Sequence, residues 1–242
     1  MRQIWIIAKR ELKSYFDSLL AYIMIVAFLA FTGFFTWLSA NNIFFMKMAS
    51  LHVFFSISFW TLFFFIPALT MRLIAEETNT GTIEILLTKA VNDWQMVVGK
   101  FLATFLLIAI ALGLTLPYYI SVASLGPVDH GSVWAGYFGL LLTSAAYIGI
   151  GLFASSISTN QIVAFIIALL IGIFFQLLFG LIAGGMTGIL GNIFDFMSLR
   201  THYDSITRGI IDSKDVIYFI SIAFLGLFGS EAILAKRNIT DK

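Results

Sequence analysis

Six apolar runs constrain this chain more than any other feature: Leu19 to Ala40, Val53 to Ile74, Val97 to Ser124, Val133 to Ile157, Ile162 to Ala183 and Val216 to Ala235. A helix needs roughly 20 apolar residues to cross the hydrocarbon core of a bilayer. Within that core each backbone N–H and C=O must be satisfied inside the protein, which leaves helices and closed barrels as the spanning structures. Runs of this length select helices. The expected fold is all-α: a polytopic membrane protein in which residues 1–242 form a single transmembrane domain of six transmembrane helices. Only 11% of the 242 residues are charged, far below the roughly 25% of soluble domains. No basic patch suggests nucleic acid, and with no cysteine there is neither a disulfide framework nor a thiolate metal site. The tail of the first run, "WLSA" at Trp37 to Ala40, resembles a signal cleavage site. The run is longer than the roughly 7 to 15 residues of a signal core, so it is read as a retained helix.

The placement of lysine and arginine sets the expected orientation. Arg2, Lys9, Arg10, Lys13, Arg72, Lys89, Lys100, Lys236, Arg237 and Lys242 fall on one side, and Lys47, Arg200, Arg208 and Lys214 on the other. The positive-inside rule then places both termini in the cytoplasm. Residues 1–18, "MRQIWIIAKRELKSYFDS", put Ile4, Trp5, Ala8, Leu12, Tyr15 and Phe16 on one helical face and Arg2, Lys9, Arg10, Lys13 and Asp17 opposite. This predicts an amphipathic helix lying on membrane lipid at the interface. Glu11 stands at the edge of the apolar face, against the pattern.

In the fifth run Ala164, Ala168 and Gly172 begin a small-residue stripe that continues through Gln176 to Gly180 and Gly184. Such a stripe lets helix backbones approach closely, within one chain or between two copies. Pro67 and Pro117 lie inside the second and third runs, where each removes a backbone donor and can kink the helix. Residues 184–215 are expected outside the cytoplasm, as short helices on the outer leaflet.

The spans carry little chemistry. There is no HExxH, no pair of aspartates at membrane depth and no serine with a histidine partner, so a protease reading fails. His52, His130 and His202 fall at outer span ends or in outer loops. Glu231 is the acid within a run, one turn before Lys236 and Arg237, and reads as an interfacial carboxylate. Ion-coupled transporters place ionisable groups inside their spans, so any energy used here is expected to enter from outside the bilayer.

The polar stretch "EETNTGTIEILLTKAVNDWQ", Glu76 to Gln95, separates the second and third runs. Gly81 can cap a helix in which Ile83, Leu86 and Leu87 share a face and Glu84 occupies the first turn. Asn92 and Gln95 stand at capping-box spacing and start a second helix that leads into the third span. Residues 75–96 therefore predict a short cytoplasmic helix–turn–helix with an apolar edge.

This segment, "RLIAEETNTGTIEILLTKAVNDWQMVVGKFLA" from Arg72 to Ala103, resembles the cytoplasmic loop of ABC-2 type transporter permeases. "AKRELKSYFDSLLAYI", Ala8 to Ile23, resembles that family's N-terminal interfacial helix. "STNQIVAFIIALL", Ser158 to Leu170, and "FDFMSLRTHYDSITRGIIDSKDVIYF", Phe194 to Phe219, are similar to its gliding-motility-associated branch. The resemblance implies the membrane-spanning permease subunit of an ATP-driven exporter in a bacterial inner membrane. It implies Glu76, Glu77, Gly81, Thr82, Glu84 and Leu87 as coupling-helix positions that dock on a cytosolic ABC ATPase subunit. The interfacial helix, with Arg10, Glu11, Lys13 and Tyr15, would lie beside them. A second permease copy or a related membrane subunit is the expected partner in the membrane. The chain has no Walker A sequence, so ATP and Mg are expected on the ATPase and no cofactor on this chain. The alternative is a membrane scaffold or mechanical transmitter for an envelope machine, using the same ATPase without carrying a solute.

Overall fold

The structure, a computed structural model, describes residues 2–38, 50–81 and 92–240, with side chains to 236. Among the described residues, helix α1 (Arg2–Asp17) precedes six helical segments long and apolar enough to cross a membrane. The first span is α2 (Leu20–Trp37). The second contains α3 (His52–Thr70) and, past a turn at 71–74, the short α4 (Ala75–Asn79). The third joins α5 (Asp93–Gly113) to α6 (Leu116–Leu125), and the fourth is α7 (His130–Ile157). The fifth runs through α8 (Gln161–Ile173), a π-helical turn (Phe174–Leu178) and α9 (Phe179–Gly185). Two short helices, α10 (Ile189–Met197) and α11 (Leu199–Thr207), lead to the sixth span in α12 (Ser213–Thr240). Among the described residues there is no strand. The all-α fold with six candidate spans is as expected.

In lipid, apolar side chains gain nothing by leaving hydrocarbon for a helix interface, so packing favours residues that allow backbones close together. The fourth span shows this most clearly. Of its most apolar 18 residues 72% are buried, against 22% for the first and fifth spans, and so it forms the axis of the bundle. It meets the sixth span at Gly149 and Gly226, where a Cβ on Gly226 would lie 2.3 Å from the Gly149 carbonyl carbon and one on Gly149 would lie 2.7 Å from the Ala223 oxygen. The two backbones are in direct contact.

The second span packs against the fourth through aromatic rings. Phe54 and Phe55 approach Tyr137 at 5.7 and 5.4 Å between ring centres, and Phe63 approaches Tyr147 at 5.7 Å. Ala164, Ala168 and Gly172 are buried within this chain. A Cβ on Gly172 would lie 2.7 Å from the Phe63 ring. Gln176, in the π turn, accepts the Tyr147 hydroxyl proton. Gly184, farther along the stripe, is exposed.

The two prolines act differently. The second span continues as helix through Pro67. The third breaks just before Pro117, which takes the opening turn of α6 where its missing N–H costs nothing. Thr115 bridges the break by donating to the Leu112 oxygen at 2.6 Å, while Tyr137 of the fourth span reaches its hydroxyl at 3.0 Å.

At the end of the bundle away from α1, Tyr203 of α11 stacks on Phe59 with ring centres 4.4 Å apart and donates to the Phe55 oxygen at 3.1 Å. Asp129 caps α7 by accepting from the Gly131 and Ser132 amides at 3.0 and 3.3 Å.

The glycine crossing gives a direct test. Gly226→Val should destabilise the bundle by about 3 kcal/mol, the upper part of the usual range for overpacking, because backbone rather than a movable side chain opposes the new atoms. Gly184→Ala, which meets open space, should leave stability unchanged. Thermal unfolding in detergent reads both, and equal midpoints would remove the crossing from the account.

Candidate functional site: an ionic clasp at the α1 end

Helix α1 docks on the third span because a glycine leaves room for it. A Cβ at Gly99 would lie 2.7 Å from Ile7 Cγ2 and 3.2 Å from the Ile4 oxygen. Ala8 is fully buried and Ile4, Leu12 and Tyr15 turn toward the bundle, whereas Trp5 and Ile6 are exposed. The amphipathic face is thus divided: one edge packs on protein and the other is free to meet lipid.

Glu11, the residue that broke the apolar pattern, lies along the protein-facing edge. Lys100 of α5 is fully buried, with its Nζ 2.7 Å from Glu77 Oε1 and 3.5 Å from Glu11 Oε1. Arg10 closes the group from the solvent side, 2.8 Å from Glu11 Oε1 and 4.0 Å from Glu77 Oε1. Two cations and two carboxylates therefore join α1, α4 and α5. Burying a lone ammonium costs several kcal/mol, and the cost is recovered only when counter-charges sit within bonding distance. Burial pushes the Glu11 carboxyl up, but Lys100 and then Arg10 more than offset this and hold it below the usual carboxylate value.

Tyr15 supplies a second tie. Thr104 donates to the Lys100 carbonyl at 3.1 Å, so its remaining capacity is as an acceptor, and the Tyr15 hydroxyl donates to it at 3.1 Å. The Arg72 guanidinium lies 5.4 Å from the centre of the Tyr15 ring, a cation–π contact. Burial raises the Tyr15 hydroxyl to about 12.

The turn between α3 and α4 is held from the fourth span. Ser155 Oγ accepts from the Ile74 and Ala75 amides at 3.1 and 3.0 Å and donates to the Met71 oxygen at 2.9 Å. Three backbone groups at the turn, two of them buried amides, are satisfied by one hydroxyl. A cavity of about 450 Å³ opens beside the clasp, lined by Arg10, Glu11, Tyr15, Arg72, Glu76, Glu77, Thr80 and Lys100. A larger one, about 530 Å³, lies at the opposite end of the bundle, remote from these groups.

Of the sequence-predicted positions, Arg10, Glu11, Tyr15 and Glu77 come together, and Glu76 lines the cavity. Lys13 is exposed. Gly81 has φ +70° and follows the last turn of α4; Thr82, Glu84 and Leu87 lie outside the described residues. Beyond that gap α5 begins at the expected place, with the Asn92 amide donating to Gln95 Oε1 at 3.4 Å. Ala164, Ala168 and Gly172 take no part in the clasp. Lys100 and Ser155 were not singled out by sequence reasoning, although Glu11 on an apolar face was a signal for the first.

The profile of the family described as ABC-2 family transporter protein matches residues 41–218. The chain belongs to that family. It is accordingly a membrane permease component of an ABC transporter rather than a catalytic subunit. Comparison with curated proteins gives no match. In this ABC-2 permease the matched region includes α4, Lys100 and Ser155, while α1, with Glu11 and Tyr15, lies ahead of it.

Two measurements test the clasp. Lys100→Met leaves two carboxylates facing Arg10 alone and should weaken α1 docking by about 3 kcal/mol, the low end for breaking a buried pair. Amide exchange across residues 2–17 should rise accordingly, and unchanged exchange would show that α1 is held by other means. Acid provides an independent probe. The folded carboxyl of Glu11 titrates below the ordinary 4.5, so its contribution is complete above about pH 4.5 and is lost as pH falls through the lower folded value. Exchange in α1 should increase in that window, and Glu11→Gln should abolish that component.

Proposed function

We propose that this permease is the membrane-spanning subunit of an ATP-driven exporter, powered by a separate cytosolic ABC ATPase that binds ATP and Mg. It works beside a second copy or a related subunit in a bacterial inner membrane, with both termini cytoplasmic. The resemblance of Ser158 to Leu170 and Phe194 to Phe219 to gliding-motility-associated permeases supports that branch of the family.

The observation that carries the reading is the Glu77–Lys100 contact within the clasp. The segment that resembles a coupling loop starts at α4, and α4 is tied to the third span by Lys100 and to the fourth by Ser155. An ATPase that grips residues 76–95 pulls on those spans without slack. Helix α1 shares the same charges and moves with them.

Glu84→Lys should reduce co-purification of the ATPase at least tenfold while membrane insertion and the detergent melting point stay at wild-type values. Undiminished co-purification with intact transport counts against residues 76–95 as the grip. Reconstituted vesicles containing both subunits separate an exporter from a mechanical transmitter, since a transmitter hydrolyses ATP and moves no solute.

A further inference from the structure

His202, in the middle of α11, is 3% exposed and faces Asp215 in the first turn of α12, which is 1% exposed. Its Nδ1 lies 2.6 Å from Asp215 Oδ1, and its Nε2 lies 2.8 Å from the Phe196 carbonyl oxygen near the end of α10. The ring stacks on Tyr218 with centres 4.0 Å apart. These contacts fix a proton count. A backbone carbonyl only accepts, so Nε2 carries a proton. The Nδ1–Oδ1 contact requires a second proton, on one atom or the other. An imidazolium beside a carboxylate and a neutral imidazole beside a carboxylic acid meet this requirement equally, and both hold two protons at zero net charge. Loss of either proton sets lone pair against lone pair in one of the two contacts and leaves a net negative charge in a buried place. Asp215 Oδ2 is buried with no partner among the described protein groups, so no protein donor gives that charge a second bond on Asp215.

We propose that His202 and Asp215 form a proton-binding site that latches α10 and α11 to the head of the sixth span. The latch is closed when the pair holds its second proton, at lower pH, and opens as pH rises and that proton passes to water. A cavity of about 410 Å³ beside the pair gives water access to it. The charged neighbours are already placed. Asp195 on α10 accepts from the Thr201 hydroxyl at 2.9 Å, Lys214 at the start of α12 pairs with Asp212 at 3.2 Å, and Arg200 pairs with Asp204 on α11 at 3.6 Å. Arg208, at the end of α11, lines the cavity with Asp195 and Lys214. Tyr218 donates to the Met197 oxygen.

The Asp215→Asn change isolates the proton. A carboxamide can donate to Nδ1 of a neutral imidazole whose Nε2–H still donates to Phe196, so the latch closes with no second proton to lose. The test uses the full chain in lipid nanodiscs, with ring-¹⁵N histidine in a His52→Gln, His130→Gln background. The expected result is one reversible loss of a proton from the His202 pair as pH rises. Across the same step, amide exchange in residues 189–207 should become ten- to a hundredfold faster than in Asp215→Asn at the same pH, the effect of about one lost charge-assisted hydrogen bond. The proposal is overturned if the ring shows no titration while the protein is folded, if exchange in 189–207 ignores that titration, or if Asp215→Asn repeats the wild-type pH dependence. Should Asp215→Asn fail to fold, the wild-type comparison of ring titration with exchange decides the matter alone.

Discussion

A buried ammonium organises one end of this protein. Lys100 has no contact with solvent, so its charge must be answered by the protein, and both carboxylates that answer it come from outside the third span. One arrives on a helix ahead of the first span and the other on the short helix that ends the second. Losing α4 removes the 2.7 Å partner, and losing α1 removes Glu11 together with the cover that keeps Lys100 from water, so both helices belong to the packing around the charge. Gly99 makes the arrangement sterically possible by letting α1 close onto α5 one residue before Lys100.

Elsewhere the bundle uses polarity sparingly. Thr32, Thr36, Thr61, Thr70, Thr143, Ser144 and Ser230 each return their hydroxyl to the carbonyl four residues earlier in their own helix. These residues solve their own burial locally and bind no neighbour through that hydrogen. Contacts between spans fall instead to tyrosines and to Ser155. Tyr118 donates to the Leu29 oxygen of the first span at 3.0 Å, and Tyr137, Tyr147 and Tyr203 make comparable reaches. A tyrosine carries its hydroxyl far enough from its own backbone to reach another element, and Thr104 and Thr115 join helices only because Tyr15 and Tyr137 reach across to them.

The same distinction explains what could be read in the sequence. The six runs were legible because satisfying a backbone in hydrocarbon is a one-dimensional requirement, and the Asn92–Gln95 helix start was legible because caps act over three residues. Lys100 was not: near the end of an apolar run a lysine ordinarily extends toward water, and only α1 folding back encloses it. Glu11 recorded that enclosure as a flaw in an otherwise regular amphipathic face. Gly149 and Gly226 are ordinary glycines in membrane helices until two spans that are distant in sequence cross at them. His202 and Asp215, separated by the turn that joins α11 to the sixth span, read as outer-loop residues because only the reversal that sets α11 against α12 brings them together.

Ser155 also fixes a joint in the second span. Where a helix is interrupted, its unmet amides normally find water or a side chain of the same segment, and the joint behaves as a free hinge. Here the second span's joint is fastened by the fourth, the axis of the bundle. Displacing α4 relative to that axis requires breaking three hydrogen bonds at one oxygen. The turn is therefore a pinned joint, fastened to the axis through one hydroxyl group.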